Sequence, residues 1–293
     1  MLIPRSAYDL ILSIIPPLEM DVPRNKKIIE AVSNFVDQIN IENIGEGSDG
    51  VIYSHEFGKI IFPYYSFGKV KSHYHLEYRE FVLFAIYKKI LSKYSRFLDV
   101  GGNLGLHSIV ASKISDLEIH YIEPDPIHFE EARNRFSLNE IGNRIVMKQL
   151  AASNFDGQAS FVRLNDNTTG SHLSGSRSNV FGPTESFEVE VSRLRKLISQ
   201  NGRTLAKIDI EGSEFDALSD ISDEEWKRLD SVVEITDINS AQKIYDLASS
   251  KNLKIFSQKI SWNIASELSD LPHRWNEGSV LISRQLNRSD FLH

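Results

Sequence analysis

Phe97-Leu98-Asp99-Val100-Gly101-Gly102-Asn103-Leu104-Gly105 decides the fold: an apolar strand ends in an acid, a glycine turn follows, and a helix begins. Glycines let backbone and ligand approach closely, and the first amides of a helix lack intrahelical partners, so polar ligand groups find donors there. In open α/β sheets, ligands bind beyond the carboxyl ends of the strands where the strand order reverses. Asp99 stands at such an end, and the turn from Gly101 through Asn103 to Gly105 follows it.

The next strand, Glu118–Ile122, delivers Glu123-Pro124-Asp125-Pro126, so a second acid sits at the adjacent tip. A carboxylate there accepts hydrogen bonds from both hydroxyls of a ribose, while Asp99 is placed to meet the ammonium of a methionine moiety. Paired acids on neighbouring tips also suit NAD, whose ribose acid follows its glycine turn at comparable distance. The glycines separate the two ligands. Gly101 and Gly102 are adjacent and the next is Gly105, so the G-x-G-x-x-G spacing of a pyrophosphate-binding turn is not met. S-adenosylmethionine, which has no pyrophosphate, is the ligand this pattern favours.

Outward from the turn, strands and helices alternate: strand 96–100, helix 105–114, strand 118–122, helix 126–139, strand 145–150, helix 192–200, strand 204–210, helix 213–219, strand 231–236, helix 240–250 and strand 253–258. Such alternation predicts a parallel sheet covered on both faces. The last apolar run, Ser279–Ser283, follows an irregular stretch and is expected to enter antiparallel. Strand-like segments at 159–164 and 187–191 break the alternation and predict an inserted hairpin around a polar loop, 165–180. Ahead of the turn, Phe81, Phe84, Tyr87 and Leu91 recur at helical spacing between Glu77 and Lys93. Residues 1–75 are expected to form an extension, with helices near 5–15 and 24–39 and short strands around Val51-Ile52-Tyr53 and Lys59-Ile60-Ile61-Phe62. Residues 76–293 then form the main domain.

With 33 Lys plus Arg against 40 Asp plus Glu, the formal charge is -7, which argues against a nucleic-acid partner. The absence of cysteine removes disulfides, thiolate metal sites and a cysteine nucleophile. The apolar stretch from Leu10 to Ile15, broken by Ser13 and stopped by Pro16-Pro17, is too short to span a bilayer and lacks the marks of a signal peptide. A cytoplasmic location is the resulting expectation. Oligomeric state leaves no mark in the sequence.

Over residues 77–240 the chain resembles the FkbM-like methyltransferases. The resemblance rests on Glu80, the D-x-G-x-N-x-G turn at 99–105, Glu123-Pro124-Asp125-Pro126, Asn134, Asn139, Ala151-Ala152-Ser153 with Asp156-Gly157, Lys207-Ile208-Asp209-Ile210-Glu211-Gly212-Ser213-Glu214, and Glu234. Where that family usually has Gly-Ala-Asn in the turn, this chain has Gly101-Gly102-Asn103. The resemblance implies a Rossmann-like, seven-stranded class I methyltransferase sheet behind an N-terminal α+β extension. It also implies S-adenosylmethionine as donor, Glu80, Asn103, Pro124 and Ala152 as further cofactor contacts, and O-methylation of a sugar, glycan or secondary metabolite. A nicotinamide-dependent oxidoreductase and a noncatalytic binding module on the same fold are the competing readings.

Methyl transfer from a sulfonium is an in-line displacement, and an alcohol attacks well only after losing its proton. Asp209, at the end of its strand, and Glu211 are the candidates for that base; the alternatives are that Asp209 caps the helix near Ser213, or that Glu211 and Glu214 complement its dipole. Glu234 and Asp237 on the next tip would complete an oxygen-rich Mg²⁺ site with Asp209, a less favoured reading, so no metal ligands are assigned. His73 and His75 read as hairpin or rim residues rather than transition-metal ligands. His172 is a further candidate base, and Asn167, Thr168 and Ser171 of the polar loop are candidate acceptor contacts. Trp226 reads as core, as do Trp262 and Trp275, for which stacking on a sugar is the alternative.

Overall fold

A computed structural model describes residues 27, 30, 31, 50–54, 57–72, 78–177, 182–274 and 277–291. The expected helix at 5–15, most of that at 24–39, His73, His75 and Trp275 lie outside the described residues. In chain order come β1 (Val51–Ser54), β2 (Gly58–Ile61), β3 (Ser66–Phe67), β4 (Val70–Lys71), α1 (Tyr78–Ile90), β5 (Arg96–Val100), α2 (Leu106–Ile114), β6 (Glu118–Ile122), α3 (Pro126–Leu138) and β7 (Ile145–Lys148). There follow β8 (Ala151–Ser153), β9 (Gly157–Leu164), β10 (His172–Leu173), β11 (Thr184–Arg193), β12 (Thr204–Ile208) and α4 (Glu214–Ser219). The chain closes with β13 (Leu229–Glu234), α5 (Ile238–Ser250), β14 (Lys254–Ser257), β15 (Asn263–Ile264) and β16 (Ser279–Ser283).

The main sheet runs β15-β14-β16-β13-β12-β5-β6-β7. From β13 to β7 every pairing is parallel, and β16 lies antiparallel between β13 and β14 as expected. Seven strands form the Rossmann-like sheet that the family resemblance implies. The two-residue β15 adds an eighth at the edge. Order reverses between β5 and β12, the switch point at which the glycine turn emerges.

Alternation along each central strand sends successive side chains to opposite faces. Phe97, Ile119, Tyr121, Leu205 and Val232 join one core with α1, α2 and α3. Leu98, Val100, Ile122, Ala206, Ile208 and Val233 join the other with α4 and α5. Phe57, Ile60, Phe62 and Phe67 belong to the first core, so residues 57–67 pack continuously with the sheet.

Two expected elements differ. The predicted helix at 192–200 reduces to one 3₁₀ turn at Leu194–Leu197, because β11 stays extended through Arg193 to pair in parallel with β8. The strand expected at 145–150 ends at Lys148, and β8 leaves for a second sheet of order β10-β9-β11-β8. The inserted hairpin is therefore part of a four-stranded layer standing over the carboxyl ends. Trp226 and Trp262 are buried in the cores, 1% and 2% exposed.

Candidate functional site

A cleft of about 660 Å³ opens where β5, β6, β12 and β13 end. Gly101, Gly102 and Asn103 form its floor beside Glu123, Pro124 and Ala152. The glycines answer to protein neighbours: a Cβ on Gly101, whose φ is 73°, would strike the Asp209 carbonyl, and one on Gly102 would strike the Tyr121 ring. The turn after β5 and the turn after β12 are thus in backbone contact. Gly105, also left-handed, starts α2.

Glu123 reaches back across this floor. Its Oε2 accepts from the Asn103 N–H at 2.9 Å and its Oε1 from the Asp125 N–H at 2.9 Å. Burial, assisted by the Asp125 charge and opposed by these amides, pushes its carboxyl up to about 8. Asn103 Oδ1 is buried without a hydrogen-bond partner in the same wall. Asp99 lies elsewhere than expected. It is fully buried outside the cleft lining, and its Oδ2 accepts from Ser108 N–H at 3.0 Å and Ser108 Oγ–H at 2.7 Å. In this structure it anchors the first turn of α2 beneath the floor.

At the far end carboxyl groups gather. Residues on alternate positions of a strand share a face, so Lys207 stands beside Asp209, with Nζ 2.8 Å from Asp209 Oδ2. Burial pushes Asp209 up, but the Lys207 ammonium and hydrogen bonds from Lys207 and Glu234 outweigh it and hold the carboxyl below its usual range. Burial and the Asp209 charge push Glu234 far above that range, so Glu234 carries the proton shared between the two. Burial and Asp209 also push Glu211 up to about 8, although Arg177 Nη1 lies 2.7 Å from its Oε2. Asp209 does not cap α4, whereas Glu214, in the first turn of that helix, accepts from the Ile210 and Gly212 amides and fills the helix-end role considered for it.

Glu80 and His107 complete this end. His107 Nε2 lies 2.8 Å from Glu80 Oε2, and its Nδ1 lies 3.0 Å from the Tyr87 hydroxyl. Burial raises Tyr87 well above the usual phenol range, so its hydroxyl stays protonated beside the ring. Asp237 is absent from the cleft. Its Oδ1 accepts from the Asn239 and Ser240 amides at 2.8 and 3.0 Å, which commits it to capping α5. Among the described residues no group of three His, Cys, Asp or Glu is placed to hold a metal ion.

The opposite wall comes from the insert and the strands ahead of α1: Asn167, Thr168, Ser171 and Arg177 from one, Phe62 and Val70 from the other. Gly68 bridges Asn167, and the Lys69 N–H donates to Asp166 O at 2.7 Å. Asn167 Oδ1 accepts from Thr169 Oγ1 at 2.6 Å, and Thr168 Oγ1 lies 3.0 Å from His128 Nε2. His172 does not reach the cleft: it is 2% exposed, with Nδ1 3.0 Å from Gly170 O.

Sequence reasoning assigned no role to Lys207, His107, Arg177 or His128, and weighed Glu234 only as a metal ligand. Strand alternation from Asp209 would have found Lys207. Arg177 and His128 are linked to the site only by tertiary packing.

A glycine turn and an acid at the switch point, opposite half-buried carboxyls on the next two tips, fit a class I methyltransferase site. The chain belongs to the methyltransferase FkbM domain family, whose profile matches residues 99–256. The cofactor is S-adenosylmethionine, and the fit is chemical: a backbone floor that tolerates close approach, Glu123, and the unpartnered Asn103 oxygen. Among solved structures, the chain is similar to the methyltransferase FkbM from Methylobacillus flagellatus KT, at 15% identity and TM-score 0.40, over 65% of this chain and 43% of that one. It thus spans less than half the length of that protein. It is also similar to the N-terminal domain of human METTL16 in complex with SAH, at 11% identity and TM-score 0.39, over 96% and 95% of the two chains. Ribosomal protein L11 methylase from Lactobacillus delbrueckii subsp. bulgaricus is similar at 14% identity and TM-score 0.39, over 70% and 76%. A comparison with curated proteins gave no match. No described helix is long and apolar enough to cross a membrane.

Proposed function

We propose that the protein is an O-methyltransferase acting on a hydroxyl of a sugar, glycan or secondary metabolite, with Asp209 or Glu211 as the group that takes the hydroxyl proton. The observation carrying this reading is the Lys207–Asp209–Glu234 cluster, an ionised carboxylate held at the cleft end opposite Glu123. S-adenosylmethionine, when bound, supplies an electrophilic methyl group on sulfur.

Glu123 holds the ribose hydroxyls, and the turn from Gly101 to Gly105 passes under the donor, with Pro124, Ala152 and Glu80 as further contacts. Asp99 supports that turn from below. Asp209 is a weak base, ionised at neutral pH; Glu211, pushed up to about 8, is stronger but largely protonated there. Proton acceptance is most efficient from a group whose pKa lies near the operating pH. The two carboxyls are therefore distinguished by their pH profiles.

The loop at 165–180, together with part of the N-terminal extension that includes Phe62 and Val70, forms the acceptor side and closes over the acceptor. Asn167, Thr168 and Ser171 contact the acceptor there, while His172 supports the loop. Transfer of label from methyl-labelled donor to a panel of polyols, amino sugars and phenols, followed by mass spectrometric location of the methyl group, tests the reading. Methylation found only on nitrogen or carbon would overturn it.

A further inference from the structure

The acceptor wall stands on the ribose turn through one buried ion pair. Asp125, fully buried, spends its carboxylate twice: Oδ1 accepts from the Ile127 N–H at 2.8 Å, starting α3, while Arg163 of β9 grips both oxygens. The guanidinium Nε lies 2.6 Å from Oδ2 and Nη2 lies 2.7 Å from Oδ1, a bidentate fork that fixes direction as well as distance. The Asp125 N–H is the group that donates to Glu123 Oε1.

Arg163 is equally fixed on its other side. Its Nη1 lies 2.8 Å from Glu185 Oε2 on β11, directly across the ladder, and its guanidinium covers the Phe187 ring at 4.7 Å. A second strut runs parallel to the first, from Thr168 in the polar loop to His128 in the first turn of α3. Burial pushes His128 down to about 4, so this strut is a neutral hydrogen bond throughout the physiological range.

We propose that Arg163 is a positioning residue: by clamping Asp125 it ties the β9–β11 hairpin to the Glu123 turn, so that occupation of the donor site rigidifies the acceptor wall. The inference rests on the reading of Glu123 as the ribose acid. It carries a binding consequence. A ligand that fills the donor site favours the arrangement in which Glu123, Asp125 and Arg163 are aligned, and an acceptor arriving afterwards meets a wall already ordered.

The test uses S-adenosylhomocysteine and hydrogen exchange of the full chain, read separately at residues 101–105 with 123–125, and at Thr184–Phe187, which line no part of the cleft. In the wild-type protein, ligand should slow exchange at both places, by about fivefold or more at the distant strand. Arg163→Met combined with Asp125→Asn removes the pair without stranding one buried charge, and Asn retains a cap-capable oxygen. In that variant protection should persist at 101–105 and vanish at Thr184–Phe187. Arg163→Lys keeps the charge and loses the fork, so it should retain a reduced distant effect even if the double variant fails to fold. Distant protection undiminished in both variants, or absent from wild type, would overturn the clamp. Absence of protection at 101–105 and 123–125 in the wild-type protein would overturn the ribose reading and the clamp together.

Discussion

The two walls of the cleft are built on different principles. The donor floor and carboxyl end come from tips of adjacent parallel strands, where two short runs, 99–105 and 207–214, supply most of the chemistry. The facing wall is assembled from β9–β11, the polar loop and strands ahead of α1, joined by long-range contacts such as Gly68 with Asn167. One wall is charged and rigidly backed by the sheet. The other offers hydroxyls and amides, many already bonded within the loop. On the proposed function, reaction class belongs to the first wall and acceptor choice to the second.

The largest effect expected from this division is on turnover. Asp209→Asn removes the charge that Lys207 and Glu234 stabilise, and turnover should fall by about 10²–10⁴, the usual contribution of positioned proton transfer. S-adenosylhomocysteine affinity, measured on the same variant by calorimetry, should stay within a few-fold of wild type. Loss of affinity in parallel with turnover would move Asp209 to the donor site.

Glu123→Ala should weaken S-adenosylhomocysteine binding by about 10–150-fold when measured above pH 8, where the carboxyl is ionised and its hydrogen bonds to the ribose are those of a charged acceptor. Titration calorimetry checks it, and unchanged affinity would remove Glu123 from the ribose. Part of the loss will come from the Asn103 and Asp125 amides, which this carboxyl also holds.

The carboxyl-rich wall also predicts a pH response of the unliganded protein. Glu123 and Glu211 are pushed up to about 8 by burial, above the ordinary carboxylate value they regain on unfolding. The stability they contribute is therefore complete at acid pH and lost as pH rises through about 8. Between pH 7 and 9 the thermal midpoint should fall by roughly 3–6 °C, since each such group changes stability by about 1.4 kcal/mol per pH unit while it remains protonated only in the folded state. Glu123→Gln should flatten the slope. A midpoint that rises over this interval would show these groups to be ionised in the folded protein.

The smallest effect belongs to the facing wall. Asn167→Ala removes one amide from the cleft and frees the Thr169 hydroxyl, and should raise the KM for acceptor by about 3–10-fold. Donor affinity should not change. If it does, the two walls share a ligand and the division fails.

The sheet was legible because its signals are local. Strand tips ending in acids, glycine turns and helical stripes each occupy fewer residues than one element, and the family resemblance runs through those same residues. Lys207 and Glu234 were legible in part, since strand alternation fixes their face but not the shared proton. The facing wall was much less so. Arg177 meets Glu211, Arg163 meets Asp125 and Thr168 meets His128 only after the hairpin folds over the sheet, and no spacing rule links them. Polar composition singled out the loop at 165–180, of which Asn167–Ser171, Leu173 and Arg177 line the cleft, yet it could not say that Asn167 and Thr168 spend bonds on the protein itself, or that His172 turns away. The apolar pattern at 192–200 misled for a related reason: Leu194, Leu197 and Ile198 are buried in both helix and turn, and the β8 ladder selects the turn.

The contact between Gly101 and the Asp209 carbonyl sets limits for engineering. No side chain can be introduced at Gly101 without displacing the turn that bears Asp209, so donor floor and reactive carboxylate cannot be redesigned independently. Libraries aimed at new acceptors belong in the β9–β11 hairpin and its loop, where substitution leaves that junction untouched.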